Sequence, residues 1–198
     1  MRQTVYALVT SKGGSGKTTA AVHLATALAG KRGARVVLID GDTHTRAATG
    51  WAHRGAGRLP FEVRPAGAPF EDATAVVIDA AGGEAADDLR ELAELADRLI
   101  IPSVPSALDL LAALGTYRTL PAGAHAAVLL TRCPPATQAD AAEGRALLAD
   151  RGVPVLRAEV PQRKAYATAA LEGVTVRDVR GGADLWPVWP RLAREVAA

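Results

Sequence analysis

The sequence predicts an α/β protein, a single three-layer domain in which helices cover both faces of a mostly parallel sheet. Short apolar runs alternate along the chain with longer segments of helical period. Three of these runs, VVLI, AVVI and AVLL, contain no polar residue, as expected for parallel strands buried on both faces. The 198 residues contain no internal repeat or low-complexity linker, so residues 1–198 are assigned to one domain.

The N-terminal part follows this alternation closely. Val5–Val9 is predicted to form a strand, and Thr18–Ala29, rich in Ala and Leu, a helix. RVVLI over Arg35–Ile39 predicts a second strand. A helix over Thr45–Arg54 and a weaker strand over Phe61–Arg64, expected at a sheet edge, follow.

The middle of the chain repeats the pattern. Ala75–Ile78 predicts a buried strand, and the acidic, amphipathic segment Ala85–Ala96 predicts a surface helix. Leu99–Ile101 predicts a strand that Pro102 stops, and Leu108–Leu120 a helix.

The C-terminal part adds two strands and three helices. Ala126–Leu130 predicts a strand, Gln138–Asp150 a helix that a glycine ends, and Val153–Val160 the last strand. Arg163–Leu171 and Pro190–Val196 are predicted to be helical.

Composition excludes several classes of protein. A single cysteine, Cys133, excludes a disulfide framework and a metal site of paired cysteines. No apolar run approaches the roughly 20 residues that cross a bilayer, and the N-terminal segment turns polar too early for a secretory signal. We therefore expect a soluble, cytoplasmic domain. The net charge of +2 does not by itself predict nucleic-acid binding.

The Gly-rich segment SKGGSGKTT lies between the first strand and the first helix. Gly13, Gly14 and Gly16 allow backbone N–H groups to turn inward around phosphate oxygens, and the helix N-terminus adds partial positive charge. Lys17 is predicted to reach the β- and γ-phosphates, and Thr18 to ligate Mg²⁺. The P-loop pattern G-x-x-x-x-G-K-[ST] fits only in a Lys-Gly-Gly form, because serine replaces its first glycine. A plain connecting turn is the alternative, which the preceding strand and the GKTT sequence disfavour.

Carboxylates follow two of the predicted strands. Asp40 and Asp42 follow VVLI, and Asp79 follows AVVI. The carboxyl ends of parallel strands lie where ligands bind, so we expect these side chains beside the Gly-rich loop, with Asp42 facing the γ-phosphate. There they can hold Mg²⁺ or orient an attacking water. Capping of the next helix is the alternative for each single aspartate.

The sequence resembles a known family over nearly its whole length. KGGSGKTT, with its extra lysine, resembles the deviant Walker A motif of ParA/MinD ATPases, and VVLIDGDTHTRAATGWA resembles their Walker A′ segment. AVVIDAAGGEAADDLRELAELADRLIIPSVPSALDL is similar to the Walker B strand, the switch segment and the following strand. LLTRCPPATQ and AEVPQRKAYATAALEGVTV resemble the late segments of short, ParF-like members.

The resemblance implies an ATP-dependent homodimer that uses ATP and Mg²⁺. Lys12 then acts in the partner's active site, and Lys17 in its own. Asp42 is expected to position the hydrolytic water. Asp40 and Asp79 are expected to support Mg²⁺ together with Thr18. The implied nucleotide-binding residues are Gly13, Gly14, Ser15, Gly16, Lys17, Thr18 and Thr19, with Thr131, Arg132 and Pro161 around the adenine.

Two segments depart from the family pattern. Thr43-His44 stands where the family has Pro-Gln, and Ala80–Gly83 replaces a proline-rich segment. Both changes remove the backbone restraint that proline imposes. They bear on the rate of hydrolysis and on the response to a partner rather than on ATP binding.

The resemblance implies a partition ATPase. Such a protein dimerises with ATP, binds DNA without sequence preference and associates with the nucleoid, and a centromere-binding or activator protein stimulates its hydrolysis. The Gly-rich loop begins at residue 11, so we expect no N-terminal helix-turn-helix. Candidate contacts to DNA phosphates are Arg163, Lys164, Arg177, Arg180, Arg191 and Arg194.

Two other functions share this fold. A membrane-surface ATPase of the MinD type needs a basic amphipathic C-terminal helix with bulky apolar anchors. PRLAREVAA is short and nearly neutral, so no membrane contact is expected. A metabolic enzyme stays open, disfavoured only by the closer resemblance elsewhere. We expect His23 and Cys133 to be packed side chains, and Trp186 and Trp189 to hold the C-terminal segment against the body.

Overall fold

A computed structural model of the chain describes residues 2–83, 85–135 and 139–197. Its strands are β1 (Thr4–Thr10), β2 (Val36–Asp40), β3 (Glu62–Pro65), β4 (Ala75–Gly82), β5 (Arg98–Ser103), β6 (Ala126–Cys133) and β7 (Val155–Pro161). Its helices are α1 (Lys17–Ala29), α2 (Ala47–Gly55), α3 (Ala86–Leu95), α4 (Ala107–Thr119), α5 (Asp140–Ala149), α6 (Lys164–Glu172) and α7 (Val188–Glu195). Two short 3-10 helices, Val176–Asp178 and Ala183–Leu185, lie between α6 and α7.

The strands form one parallel sheet with the order β3-β2-β4-β1-β5-β6-β7. This order confirms the predicted α/β class and places the weak strand β3 at an edge. Because β1 is flanked by β4 and β5, the Gly-rich loop that follows β1 lies near the centre of the sheet. Asp40 and Asp79 are register partners on β2 and β4. Strand pairing therefore brings these two predicted site residues together.

Helices cover both faces of the sheet. On one face α1, α2, α6 and α7 pack around buried side chains that include Leu24 and Trp189. On the other face α3, α4 and α5 contribute Leu89, Leu110 and Leu148 to a second core. Burying an aliphatic side chain of this size stabilises the fold by about 1.5–3 kcal/mol. The two cores thus anchor the strands whose carboxyl ends carry the site.

Predicted and observed element ends coincide or differ by up to four residues, and a turn explains one of the differences. The helix predicted from Thr45 begins at Ala47, because Asp42 holds the preceding residues in a turn by accepting the N–H of Thr45 at 2.9 Å. The predicted helix start at Gln138 lies outside the described residues, and α5 is described from Asp140. None of the helices in the described ranges has the length and apolarity of a membrane span.

An aromatic cluster holds the C-terminal segment in place. Trp189 of α7 is fully buried, and its ring centroid lies 4.8 Å from that of His23 in α1. Tyr166 and Trp51 contact the same histidine edge-on. The prediction that Trp189 fixes this segment is confirmed. Trp186 is half-buried, and the guanidinium of Arg177, from the 3-10 helix Val176–Asp178, lies over its ring.

His23 itself is a fully buried, hydrogen-bonded core residue. Its Nε2 accepts the backbone N–H of Val176 at 3.0 Å, so Nδ1 carries the proton and donates to the Thr19 carbonyl at 2.7 Å. Burial lowers the pKa of His23 from 6.5 to about 4. The expectation of a packed rather than a metal-binding histidine is confirmed.

Candidate nucleotide-binding site

The Gly-rich loop after β1 has the geometry of a phosphate-binding nest. Gly14 and Gly16 have φ angles of 81° and 85°, the left-handed region in which a side chain is strained. Gly16 is the N-cap of α1, which places the first N–H groups of that helix at the end of the loop. The Ser15 hydroxyl is buried without a protein partner. The loop therefore offers unpaired donors where an anion is expected to bind.

Lys17, the first residue of α1, points into the site. Its side chain is 11% exposed and forms an ion pair of 3.1 Å with Asp79, which is almost completely buried. The same ammonium donates to the Ala80 carbonyl. Burial raises the pKa of Asp79, and the ammonium of Lys17 counteracts that effect. In the described state, the lysine that is predicted to contact phosphates is bound by the Walker B strand.

Asp40 presents an oxygen that the protein does not satisfy. Its Oδ2 accepts the N–H and the hydroxyl of Thr49 at 2.8 and 2.7 Å, but the buried Oδ1 has no partner. Next to it, a Cβ on Gly41 would approach the Asp79 carbonyl to 3.0 Å, so a side chain there would crowd the close contact between β2 and β4. A buried carboxylate oxygen without a partner is costly unless it binds a ligand.

The aspartates and Thr18 fit a magnesium ion that takes most of its ligands from bound phosphates and from water. Asp40, Asp79 and Thr18, which follows Lys17 directly, supply only oxygen, the ligand that Mg²⁺ prefers. Within the ranges that the structure describes, no group of three His, Cys, Asp or Glu side chains converges on a metal position. Magnesium ions that bind together with phosphates and waters commonly have only one or two protein ligands.

Asp42 lies on the loop after β2 and bonds to its own loop. Its Oδ1 accepts the N–H groups of His44 and Thr45 at 3.0 and 2.9 Å, and its Oδ2 accepts the Thr45 hydroxyl at 2.7 Å. These bonds, the Thr45 N–H foremost, lower the pKa of Asp42. A carboxylate has about four acceptor positions, so one remains for a water. The role of Asp42 toward that water stays a prediction.

Lys12 is bound by α4 rather than by the strands that carry the three aspartates. Its ammonium is 2.7 Å from Asp109 of α4, and its side chain is 46% exposed. The ammonium of Lys12 is the main cause of a lowered pKa at Asp109, and a hydrogen bond from Ser106 adds to it. Sequence reasoning did not single out Asp109. The one available signal was its position in the segment after β5, at the same end of the sheet as the Gly-rich loop.

The three residues predicted around the adenine line one pocket. Thr131, Arg132 and Pro161, at the carboxyl ends of β6 and β7, border a cavity of about 410 Å³ that also reaches Gly16 and Thr19. The Thr131 hydroxyl donates to the Ser15 carbonyl at 2.6 Å and so ties β6 to the Gly-rich loop. A cavity of this size suits a small organic ligand. Contact of these residues with adenine remains a prediction.

The structure gives the surroundings of three of the basic residues named as DNA contacts, whose role toward DNA stays a prediction. Arg163 and Lys164 line the same 410 Å³ cavity. Arg177 lies 4.9 Å from the centre of the Trp186 ring and pairs with its neighbour Asp178. Gln162 also lines the cavity, although the sequence did not single it out.

Cys133 is packed as expected. It is 4% exposed, and burial raises the pKa of its thiol to about 11. A thiol with so high a pKa is almost entirely protonated at neutral pH and reacts slowly.

Comparison with known families agrees with this site. The family model described as the CobQ/CobB/MinD/ParA nucleotide binding domain matches residues 6–176. That range covers the Gly-rich loop, the three aspartates and all the residues that line the cavity at the ends of β6 and β7 except Trp189.

Individual proteins extend the similarity. The chain is 36% identical over 187 residues to maintenance of carboxysome distribution protein A of Gloeobacter kilaueensis, a match that covers 89% of this chain and 85% of that protein. It is 30% identical over 183 residues to protein ParA of Rhizobium radiobacter, covering 82% and 80%. The fold superposes on an ATP complex of a Cyanothece McdA variant with a TM-score of 0.76 at 14% identity, covering 99% and 96% of the two chains.

Proposed function

The chain belongs to the CobQ/CobB/MinD/ParA family of nucleotide-binding domains and is an ATPase of the ParA/MinD type, and we propose that it works as an ATP-dependent dimer that binds DNA without sequence preference. Hydrolysis of ATP then segregates or positions plasmid or chromosomal DNA. The observation that carries the proposal is that the two lysines of one loop have different partners and different exposure. Lys17 is largely buried and pairs with Asp79, whereas Lys12 is half-exposed and pairs with Asp109.

Lys17 and the Gly-rich loop bind the triphosphate in this proposal. When nucleotide enters, the Lys17 ammonium leaves the Ala80 carbonyl and pairs with phosphate oxygens, a stronger charge-assisted contact. Asp40, Asp79 and Thr18 hold Mg²⁺, which neutralises part of the phosphate charge. Asp42 accepts a hydrogen bond from the attacking water and holds it in line.

Lys12 supplies the contact between protomers. The Lys12 side chain is 46% exposed, so water partly screens its ion pair with the more buried Asp109 and the ammonium can exchange partners. On dimerisation the Lys12 ammonium leaves Asp109 and pairs with a phosphate bound in the partner subunit. Dimerisation then depends on ATP, because the triphosphate carries the stronger negative charge.

The partner protein and the cargo are proposed from the relatives. We propose a centromere-binding or activator protein that stimulates hydrolysis. A protein compartment is a second candidate cargo, because the relative with 36% identity is named for carboxysome distribution. Membrane attachment is disfavoured, since the exposed face of α7 carries Arg191 and Arg194 without bulky apolar anchors.

Co-sedimentation with linear DNA tests the proposal, in the presence of ATP, of ADP and of no nucleotide. Binding with ATP alone, falling steeply as salt rises, is the expected result, because each neutralised phosphate releases counterions. In cells, the tagged protein is expected in the cytoplasm and on the nucleoid when ATP is bound. Equal pelleting with ADP, or recovery with floated liposomes instead of DNA, would refute it in favour of a metabolic or a membrane-surface ATPase.

A further inference from the structure

A groove of about 770 Å³ lies between helix α3 and the loop that follows the edge strand β3. Its loop wall is formed by residues 66–71, and its helix wall by Asp88, Glu91, Leu92 and Leu95. These four helical positions recur at intervals of three and four residues, so they share one face of α3. We call this feature the acidic groove, after the charge of its exposed side chains.

The floor of the acidic groove is apolar. Ile39 of β2 and Ile78 of β4 line it and are each 6% exposed. Phe70 from the loop wall is half-buried, and Leu95 from the helix wall is 47% exposed. Water therefore reaches an apolar surface that spans both walls, and covering that surface is favourable.

The rim of the acidic groove carries three exposed carboxylates. Glu71 comes from the loop wall, and Asp88 and Glu91 come from the helix wall. Asp88 accepts the backbone N–H of Ala85 at 3.2 Å and so caps α3. Within the described ranges, neither Glu71 nor Glu91 forms an ion pair, and none of the residues that line the groove is basic.

The arginines that flank the groove in sequence already have acidic partners. Arg64 of β3 forms ion pairs of 2.7 and 2.8 Å with Glu62 and Asp72. Arg90 of α3 pairs with Asp87, one turn earlier on the same helix. Neither guanidinium therefore neutralises the rim, which keeps its negative charge for a ligand from outside.

The lining selects the class of that ligand. Carboxylates repel the phosphates of nucleic acids and of anionic lipids, so neither suits this rim. A protein segment with basic side chains beside apolar ones suits both parts, because its apolar side chains cover the floor and its cations pair with the rim. Resting on the proposed function, we infer that the acidic groove docks a basic, amphipathic segment of the partner protein.

The acidic groove is built on the same backbone as the nucleotide site. Gly41, which follows Asp40, and Ala80 both line the groove. The N–H of Ala66 donates to the Asp40 carbonyl at 3.1 Å and ties the loop wall to β2. The Ala80 carbonyl accepts the Lys17 ammonium. Because nucleotide draws that ammonium away in the proposed function, docking and nucleotide binding act on one backbone group and are coupled.

Two designed peptides test this assignment on the full chain. The lysine peptide is fluorescent and places lysine and leucine on opposite faces of a helix, and the glutamate peptide has glutamate in place of each lysine. Asp88 is left unchanged in all variants because it caps α3. The groove variant combines Glu71→Gln, Glu91→Gln and Leu95→Ala. The matched control changes exposed residues outside the groove, Glu94→Gln, Glu143→Gln and Leu171→Ala. A charge-swapped variant carries Glu71→Lys and Glu91→Lys.

Fluorescence anisotropy is expected to show at least tenfold weaker binding of the lysine peptide to the groove variant than to the wild type. The control should stay within twofold of the wild type, and the charge-swapped variant should prefer the glutamate peptide. A fluorescent ATP analogue should bind to all four proteins alike. Saturating lysine peptide should raise ATP turnover in the wild type and in the control but not in the groove variant, since the groove shares its backbone with the site.

Four results would overturn the inference. These are no binding of the lysine peptide to the wild type, equal losses in groove and control variants, a charge-swapped variant that still prefers the lysine peptide, and unchanged turnover with saturating peptide. Groove-dependent self-association without nucleotide would also overturn it and assign the groove to a second copy of the chain. DNA co-sedimentation with ATP reads the proposed function separately. If the wild type pellets with DNA while its peptide binding does not depend on the groove, this inference alone fails.

Discussion

Lowering the pH is predicted to destabilise this protein through one buried histidine. His23 is neutral in the folded chain because its Nε2 accepts an N–H and its surroundings are apolar and aromatic. Burial lowers its pKa from 6.5 to about 4, so the unfolded chain binds a proton more readily than the folded one. The stability that depends on neutral His23 is complete above pH 6.5 and is lost as the pH falls toward 4.

The size of the effect follows from the two pKa values. Between pH 7 and pH 5 the unfolded histidine takes up most of a proton and the folded one almost none. Proton linkage then predicts a loss of about 2 kcal/mol from the free energy of unfolding. For a domain of this size such a loss lowers the melting temperature by about 4–8 °C.

Urea unfolding at pH 7, 6 and 5 measures this dependence. The test variant is His23→Gln, which removes the titrating group, and the control is His53→Gln, which removes an exposed histidine from α2. We expect His23→Gln to be less stable at pH 7, because it loses aromatic packing, and its stability to depend less on pH by about 2 kcal/mol over this range. Parallel curves for wild type and His23→Gln would refute a neutral buried histidine.

Three further predictions address the site, and a fourth concerns the buried thiol of Cys133. Lys17→Ala should abolish nucleotide binding, measured by calorimetry, because the phosphates lose their main cation; an unchanged affinity argues against the P-loop assignment. Lys12→Ala should keep more affinity than Lys17→Ala but lose hydrolysis and the ATP dimer; a normal dimer in sedimentation contradicts its role in the partner. Asp42→Ala should bind ATP and dimerise, yet turn over at least tenfold more slowly, because a water contact acts mainly in the transition state; wild-type turnover at saturating ATP and DNA moves that role elsewhere. Cys133 should react with a thiol reagent at pH 8 only on unfolding, and rapid labelling of the native protein would mean that its surroundings open.

The fold and the core of the site could be predicted from the sequence because their signals are local. Uninterrupted apolar runs identify strands buried on both faces, whatever their neighbours are. The Gly-rich loop is defined by glycine at positions of positive φ, followed at once by lysine and threonine. Asp40 and Asp79 end two such runs, so their proximity follows from parallel pairing alone.

The partners of the charged side chains could be decided only by the tertiary structure. Lys12 and Asp109 are 97 residues apart in the printed sequence, and their contact depends on how α4 packs beside the Gly-rich loop. Arg157 and Arg163 are both exposed arginines six residues apart, yet Arg163 lines the 410 Å³ cavity and Arg157 an open groove. Their separation depends on where β7 meets α6 and α7, because a long flexible side chain takes its partner from whatever the fold places within its reach.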